Sequence, residues 1–108
     1  MANFLLLYSG GKIPGSAEEQ AAVLKQWMGW FEKLGPALVD GGNPTSPMAK
    51  TISSDGMVGD APMGMMVSGY SIIKADSLDG AVDMAKGCPV LMGGAQLTVY
   101  ETFPAMGM

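Results

Sequence analysis

Val67-Ser-Gly-Tyr-Ser-Ile-Ile-Lys-Ala75, Asp76-Ser-Leu-Asp79, Gly87-Cys-Pro89 and Leu97-Thr-Val-Tyr-Glu-Thr-Phe103 follow one another along the chain, and together they decide the fold. The first and last are rich in β-branched and aromatic residues, as strands are. Between them Leu78, Ala81, Val82 and Ala85 recur at the spacing of one helix face. Asp76 is the expected N-cap; Asp79 suits the positive end of the helix dipole and Lys86 the negative end. Gly87 is the expected left-handed terminator, and Pro89 keeps the helix from resuming. The unit reads strand, helix, strand.

The first half of the chain has the same rhythm. Asn3 to Ser9 reads as a strand with Leu5 and Leu7 on one face and Phe4, Leu6 and Tyr8 on the other. Gly10-Gly-Lys-Ile-Pro-Gly15 is a turn; it lacks the glycine spacing of a phosphate loop and the hydroxyl residue after the lysine. Ser16, with Glu19 three residues on, forms a capping box that opens a helix running to about Leu34. Leu24, Trp27, Met28, Phe31 and Leu34 line its broad apolar face. Trp30 falls off the centre of that stripe, either as an edge packing residue or as a contact with a second subunit. Gly35-Pro36 ends the helix, and Ala37-Leu-Val39 gives a short strand.

Lys50-Thr-Ile-Ser53 and Met57-Val58 pair around Ser54-Asp-Gly56 as a hairpin insertion at about 48–60. Asp60-Ala-Pro-Met-Gly-Met-Met66 is a loop whose methionines either plug the core or line a pocket of adaptable shape. Residues 1–104 form a single domain and 105–108 a frayed tail. The order strand, helix, strand, hairpin, strand, helix, strand is ferredoxin-like and belongs to the α+β class. Both helices then cover one face of an antiparallel sheet. The other face, with Leu6, Tyr8, Ile72 and Tyr100 expected outward, predicts a homodimer closing sheet against sheet.

Composition narrows function. The chain of 108 residues carries a net charge of -4, six scattered lysines and no arginine. That disfavours nucleic acid, anionic membranes and phosphate-rich substrates. Histidine is absent, which removes Ser-His-Asp and Cys-His catalysis and histidine metal ligation. Any acid or base must be a tuned carboxylate, lysine or tyrosine. A single cysteine forbids an internal disulfide, and Phe4-Leu-Leu-Leu-Tyr8 is too short for a signal peptide, so the expected location is cytoplasmic. No metal cluster or cofactor motif stands out.

Across nearly its whole length the chain resembles the YCII-related proteins, closest to the subgroup with an Asp-Gly-Pro-Phe signature. Phe4-Leu-Leu-Leu-Tyr8, Lys25-Gln-Trp-Met-Gly-Trp30 and Leu38-Val-Asp-Gly-Gly42 carry the resemblance. So do Gly69-Tyr-Ser-Ile-Ile73, Asp76-Ser-Leu-Asp79, Ala85-Lys-Gly-Cys-Pro89 and Val99-Tyr-Glu101. The signature departs here, reading Asp60-Ala-Pro-Met63. Losing glycine at 61 restricts the turn, and Met63 softens the packing of an aromatic. The resemblance implies a dimeric α+β barrel of ferredoxin-like subunits with clefts beside the shared barrel. A few members of that family eliminate chloride from hydroxylated aromatics, some by a histidine with an aspartate; this chain has no such histidine.

The candidate site follows from these readings. Tyr8, Tyr70 and Tyr100 offer hydroxyls, and Met63, Met65 and Met66 apolar walls, for an apolar or aromatic small molecule. Asp60 is the candidate catalytic acid or base, because burial beside apolar groups raises a carboxyl; its plainer reading is a turn residue. Glu101 is either a buried carboxylate or an edge residue reaching solvent, and Cys88 a packed contact at the helix end. Three functions follow: a binding protein, a histidine-independent lyase or isomerase acting on a hydroxylated ring or lactone, or a structural module.

Overall fold

The computed structural model describes residues 2–10, 16–45, 48–60 and 67–103. Strand β1 (Ala2–Ser9) is followed by helix α1 (Ala17–Leu34), a 3-10 turn at Gly35–Ala37 and strand β2 (Leu38–Asp40). Strands β3 (Lys50–Ile52) and β4 (Val58–Asp60) make the inserted hairpin. Strand β5 (Val67–Ala75), helix α2 (Leu78–Ala85), a 3-10 turn at Pro89–Gly93 and strand β6 (Gln96–Glu101) complete the order. The main sheet is β2-β5-β1-β6, with β1 antiparallel to both β5 and β6. β1 and β2 are separated by β5, which is the split βαβ arrangement of the ferredoxin-like order.

The helix starts obey local chemistry. The Ser16 hydroxyl accepts from the Glu19 amide at 3.1 Å, as the capping box requires. In α2 the cap is Ser77, whose hydroxyl accepts from the Gly80 amide at 3.1 Å, rather than the expected Asp76. Gly87 also differs from expectation, since it is not among the glycines with positive φ. An added Cβ there would lie 3.4 Å from the Trp30 ring, so Gly87 gives that ring room. The hairpin closes as read: Ser53 donates its amide to the Met57 carbonyl at 2.8 Å, and Gly56 takes φ 89° in the turn.

Both helices pack on one face of the sheet, over Phe4, Leu6 and Tyr8 of β1 and Ile73 and Ala75 of β5. Leu6 is 0 % and Tyr8 4 % exposed, which corrects their expected outward placement. Strand alternation turns Leu5 and Leu7 to the open face instead. Trp30, not the Leu24–Met28 flank, is the buried anchor of α1: its indole N–H donates to the Met84 carbonyl at 3.1 Å. Trp27, Phe31 and Leu34 pack beside it, while Leu24 and Met28 are exposed. The aromatic cluster continues through an edge contact of Trp27 on Tyr8, with ring centroids 5.5 Å apart. No helix among the described residues is long and apolar enough to cross a membrane.

Candidate functional site

The register of the sheet assembles its open face. Directly opposed residues point to the same side, so Tyr70, Leu7 and Thr98 form one row and Ile72, Leu5 and Tyr100 the next. Lys74 and Asn3 continue the pattern toward one end. The floor is therefore leucine and isoleucine, with a phenol at each of two opposite corners. Spacing of strands and residues puts the two tyrosine Cα atoms about 12 Å apart across β1. Tyr100 is 48 % exposed and Tyr70 half-buried, so both rings are reachable.

Tyr70 is held by the loop that follows β2. The Tyr70 amide donates to the Asn43 carbonyl at 3.3 Å. Gly42, with φ 74°, crosses directly beside it; a Cβ there would fall 1.7 Å from the Tyr70 carbonyl oxygen. The Asp40 carboxylate accepts from the Gly42 amide at 2.8 Å and fixes the turn. Nothing bulkier than glycine fits at 42, a constraint invisible without the neighbouring strand.

Tyr8 belongs to a different environment. Its hydroxyl donates to Ser71 Oγ at 2.7 Å, and Ser71 donates onward to the Gly41 carbonyl at 2.7 Å. Both side chains lie on the helix-covered face. Burial pushes the Tyr8 phenol far above its ordinary range, and neighbouring Cys88 adds to the rise. Burial likewise raises the Cys88 thiol. Neither group ionises near neutral pH, so the pair seals the core and supplies no base or nucleophile. Ser71 is the residue that sequence reasoning missed; a serine at an inward strand position opposite Leu6 was its only signal.

Asp60 ends β4, on the hairpin and not on the main sheet that carries the tyrosines. It is exposed and its carboxylate lies 2.6 Å from the Lys50 ammonium across the hairpin. In the single chain no apolar surroundings enclose it among the described residues. Glu101 is exposed at the end of β6, so of its two readings the edge residue holds. Met63, Met65 and Met66 lie outside the described residues. Among the described residues no three His, Cys, Asp or Glu side chains gather as a metal site would need.

Two concavities lie on the helix side. A cleft of about 180 Å³ runs between Trp30, Leu34, Met84 and Gly87, with Lys33 and Asp83 at its rim. A shallower groove of about 330 Å³ lies between α2 and β6, lined by Leu78, Val82, Leu91, Leu97 and Val99 among others. Neither contains the tyrosines or Asp60.

No known protein-family profile matches the chain, and no curated protein does. Among solved structures it is similar to 5-chloro-2-hydroxyhydroquinone dehydrochlorinase (TftG) from Burkholderia phenoliruptrix AC1100, determined in complex with 2,5-dihydroxybenzoquinone. The two share 18 % identity over 94 % of this chain and 93 % of that one, with a TM-score of 0.55. At that identity the likeness concerns the fold: a small α+β unit with an antiparallel sheet and two helices.

Proposed function

We propose that the chain is a YCII-related cytoplasmic homodimer that binds an apolar or aromatic small molecule in a cleft beside the shared barrel. The observation that carries the reading is the open sheet face, with Leu5, Leu7 and Ile72 as floor and Tyr70 and Tyr100 as polar corners. Pockets for small molecules have this make-up, apolar walls with a few placed hydrogen-bonding groups. Leaving such a face wet forgoes about 25 cal/mol for each Å² of apolar surface that burial removes from water. Two copies closing face to face recover that term and enclose the tyrosines. The fold shared with TftG supports a ring-shaped ligand, since that protein was solved with a dihydroxylated quinone. Thermal shift and NMR titration with phenols, quinones, lactones and short acids test it. The expected result is a hit among the rings, weakened by Tyr70→Phe and Tyr100→Phe. No response at millimolar concentration, with a solidly filled interface, refutes it.

A second reading, a lyase or isomerase acting on a hydroxylated ring or lactone, draws support from the dehydrochlorinase name of the structural neighbour. Asp60 would be the base and a tyrosine hydroxyl the polarising group. It requires Asp60 to leave Lys50 and reach a bound ring. Turnover unchanged in Asp60→Asn (D60N) would exclude this mechanism.

A further inference from the structure

The β3–β4 hairpin is exposed along its whole length. Every described residue from Met48 to Asp60 is exposed. Met48 is 89 %, Ile52 70 %, Met57 67 % and Val58 64 % exposed. The hairpin has only three residue pairs, Lys50 with Asp60, Thr51 with Gly59 and Ile52 with Val58. An unsupported two-stranded hairpin is marginal at best in water. One of its faces nevertheless presents Ile52 and Val58 together, beside the Lys50–Asp60 ion pair. Exposed apolar side chains with charge beside them suit the edge of an interface, where an apolar core meets a polar rim.

The occupant follows from area. The open sheet face is about 27 Å long and 19 Å wide from strand geometry, roughly 500 Å² per chain. β2 is only three residues long, and it turns Leu38 to the helix side. Two such faces alone reach only the lower bound of about 1,000 Å² for a specific interface. Among the described residues the chain thus exposes apolar side chains on the hairpin as well as on the open face, and a second copy supplies both complements.

We propose that the β3–β4 hairpin is an exchanged arm, which packs its Ile52–Val58 face against the open-sheet side of a second copy of this chain and forms the outer wall of the cleft there. The inference rests on the sheet-to-sheet pairing proposed above and adds which element closes the cleft. Each site is then composite: the tyrosines come from one copy, and the Lys50–Asp60 pair comes from the other.

Two measurements on the full chain test it. The first is amide hydrogen exchange of residues 50–60 at protein concentrations far below and far above the dimer midpoint. The expected result is protection of the arm amides at least tenfold greater in the dimer. The second is sedimentation equilibrium of Ile52→Asp and Val58→Asp, both at exposed positions, with circular dichroism to establish an intact monomer. The dimer dissociation constant should rise at least tenfold in each. A dimer whose arm amides exchange equally at both concentrations, or whose affinity stays within twofold in both variants, overturns the arm while sparing the sheet pairing. A wild-type chain monomeric at every concentration overturns the pairing, and the arm with it.

Discussion

At the scale of single residues, the buried hydroxyl chain from Tyr8 through Ser71 to the Gly41 carbonyl makes the sharpest demands. Ser71→Ala leaves a phenol donor and a carbonyl acceptor without their partner inside the core. The expected cost is about 1–3 kcal/mol, read by urea denaturation. Tyr8→Phe made in the same background should recover part of that loss, because the stranded donor is removed. The two raised groups also set an alkaline limit on stability. The unfolded chain releases protons that the folded chain retains, so stability is full below the ordinary values and falls as pH rises past them. The fall should begin near pH 9.0, the ordinary value for Cys88, and steepen above pH 10.0, the ordinary value for Tyr8. In Cys88→Ala the onset should move up toward the tyrosine range, which a pH series of urea midpoints would reveal. Gly42→Ala belongs here too. The left-handed backbone alone costs about 1–3 kcal/mol, and the displaced Tyr70 carbonyl adds to it, so ligand binding should fall together with stability. Of these features the sequence disclosed the glycines and tyrosines but not their partners. Gly41 lies 30 residues from Ser71 along the chain, and no local pattern links them.

At the scale of elements, most boundaries were legible because each is set by neighbours in sequence. The Ser16 cap, the Gly35 stop and the Ser54-Asp-Gly56 turn are all local chemistry. α2 shows where local reading stops short. Asp76 and Ser77 are both good caps, and only backbone geometry selects Ser77. Ser77→Ala should therefore cost about 1 kcal/mol, and Asp76→Ala about half that or less, from its charge near the helix start. Thermal melts of the two variants would decide which residue caps. The faces of β1 were read correctly as two sets, but which set meets the helices was not legible, since both are apolar. Packing decided it: Phe4, Leu6 and Tyr8 meet Trp27 and Trp30 from α1 and Ala81 and Ala85 from α2. The stripe on α1 was drawn too wide for the same reason, because Leu24 and Met28 lie on its flank, away from the sheet.

At the scale of the whole molecule, both helices lie on one side of the sheet, and among the described residues no helix covers the other. Light scattering at micromolar concentration should return twice the 11.2 kDa chain mass. Leu5→Asp on the open face should return one chain mass while retaining its circular dichroism. The candidate site divides along the same lines: Tyr70 and Tyr100 share the open face, Tyr8 is sealed beneath it, and Asp60 stands out on the hairpin. Sequence alone had no means of separating them, because a tyrosine in a strand reads the same on either face.

The pairing of β1 also has a kinetic side. It lies between β5 and β6, with Ala2 opposite Ala75 and Phe4 opposite Glu101. β1 is thus synthesised before both of its partners and waits for them before either of its edges is filled. Its contacts are among the most distant the described residues make, and such non-local pairings slow folding relative to a helical bundle. Until then Phe4-Leu-Leu-Leu-Tyr8 is a bare apolar strand in a nascent chain, the kind of segment for which chaperones and aggregation compete.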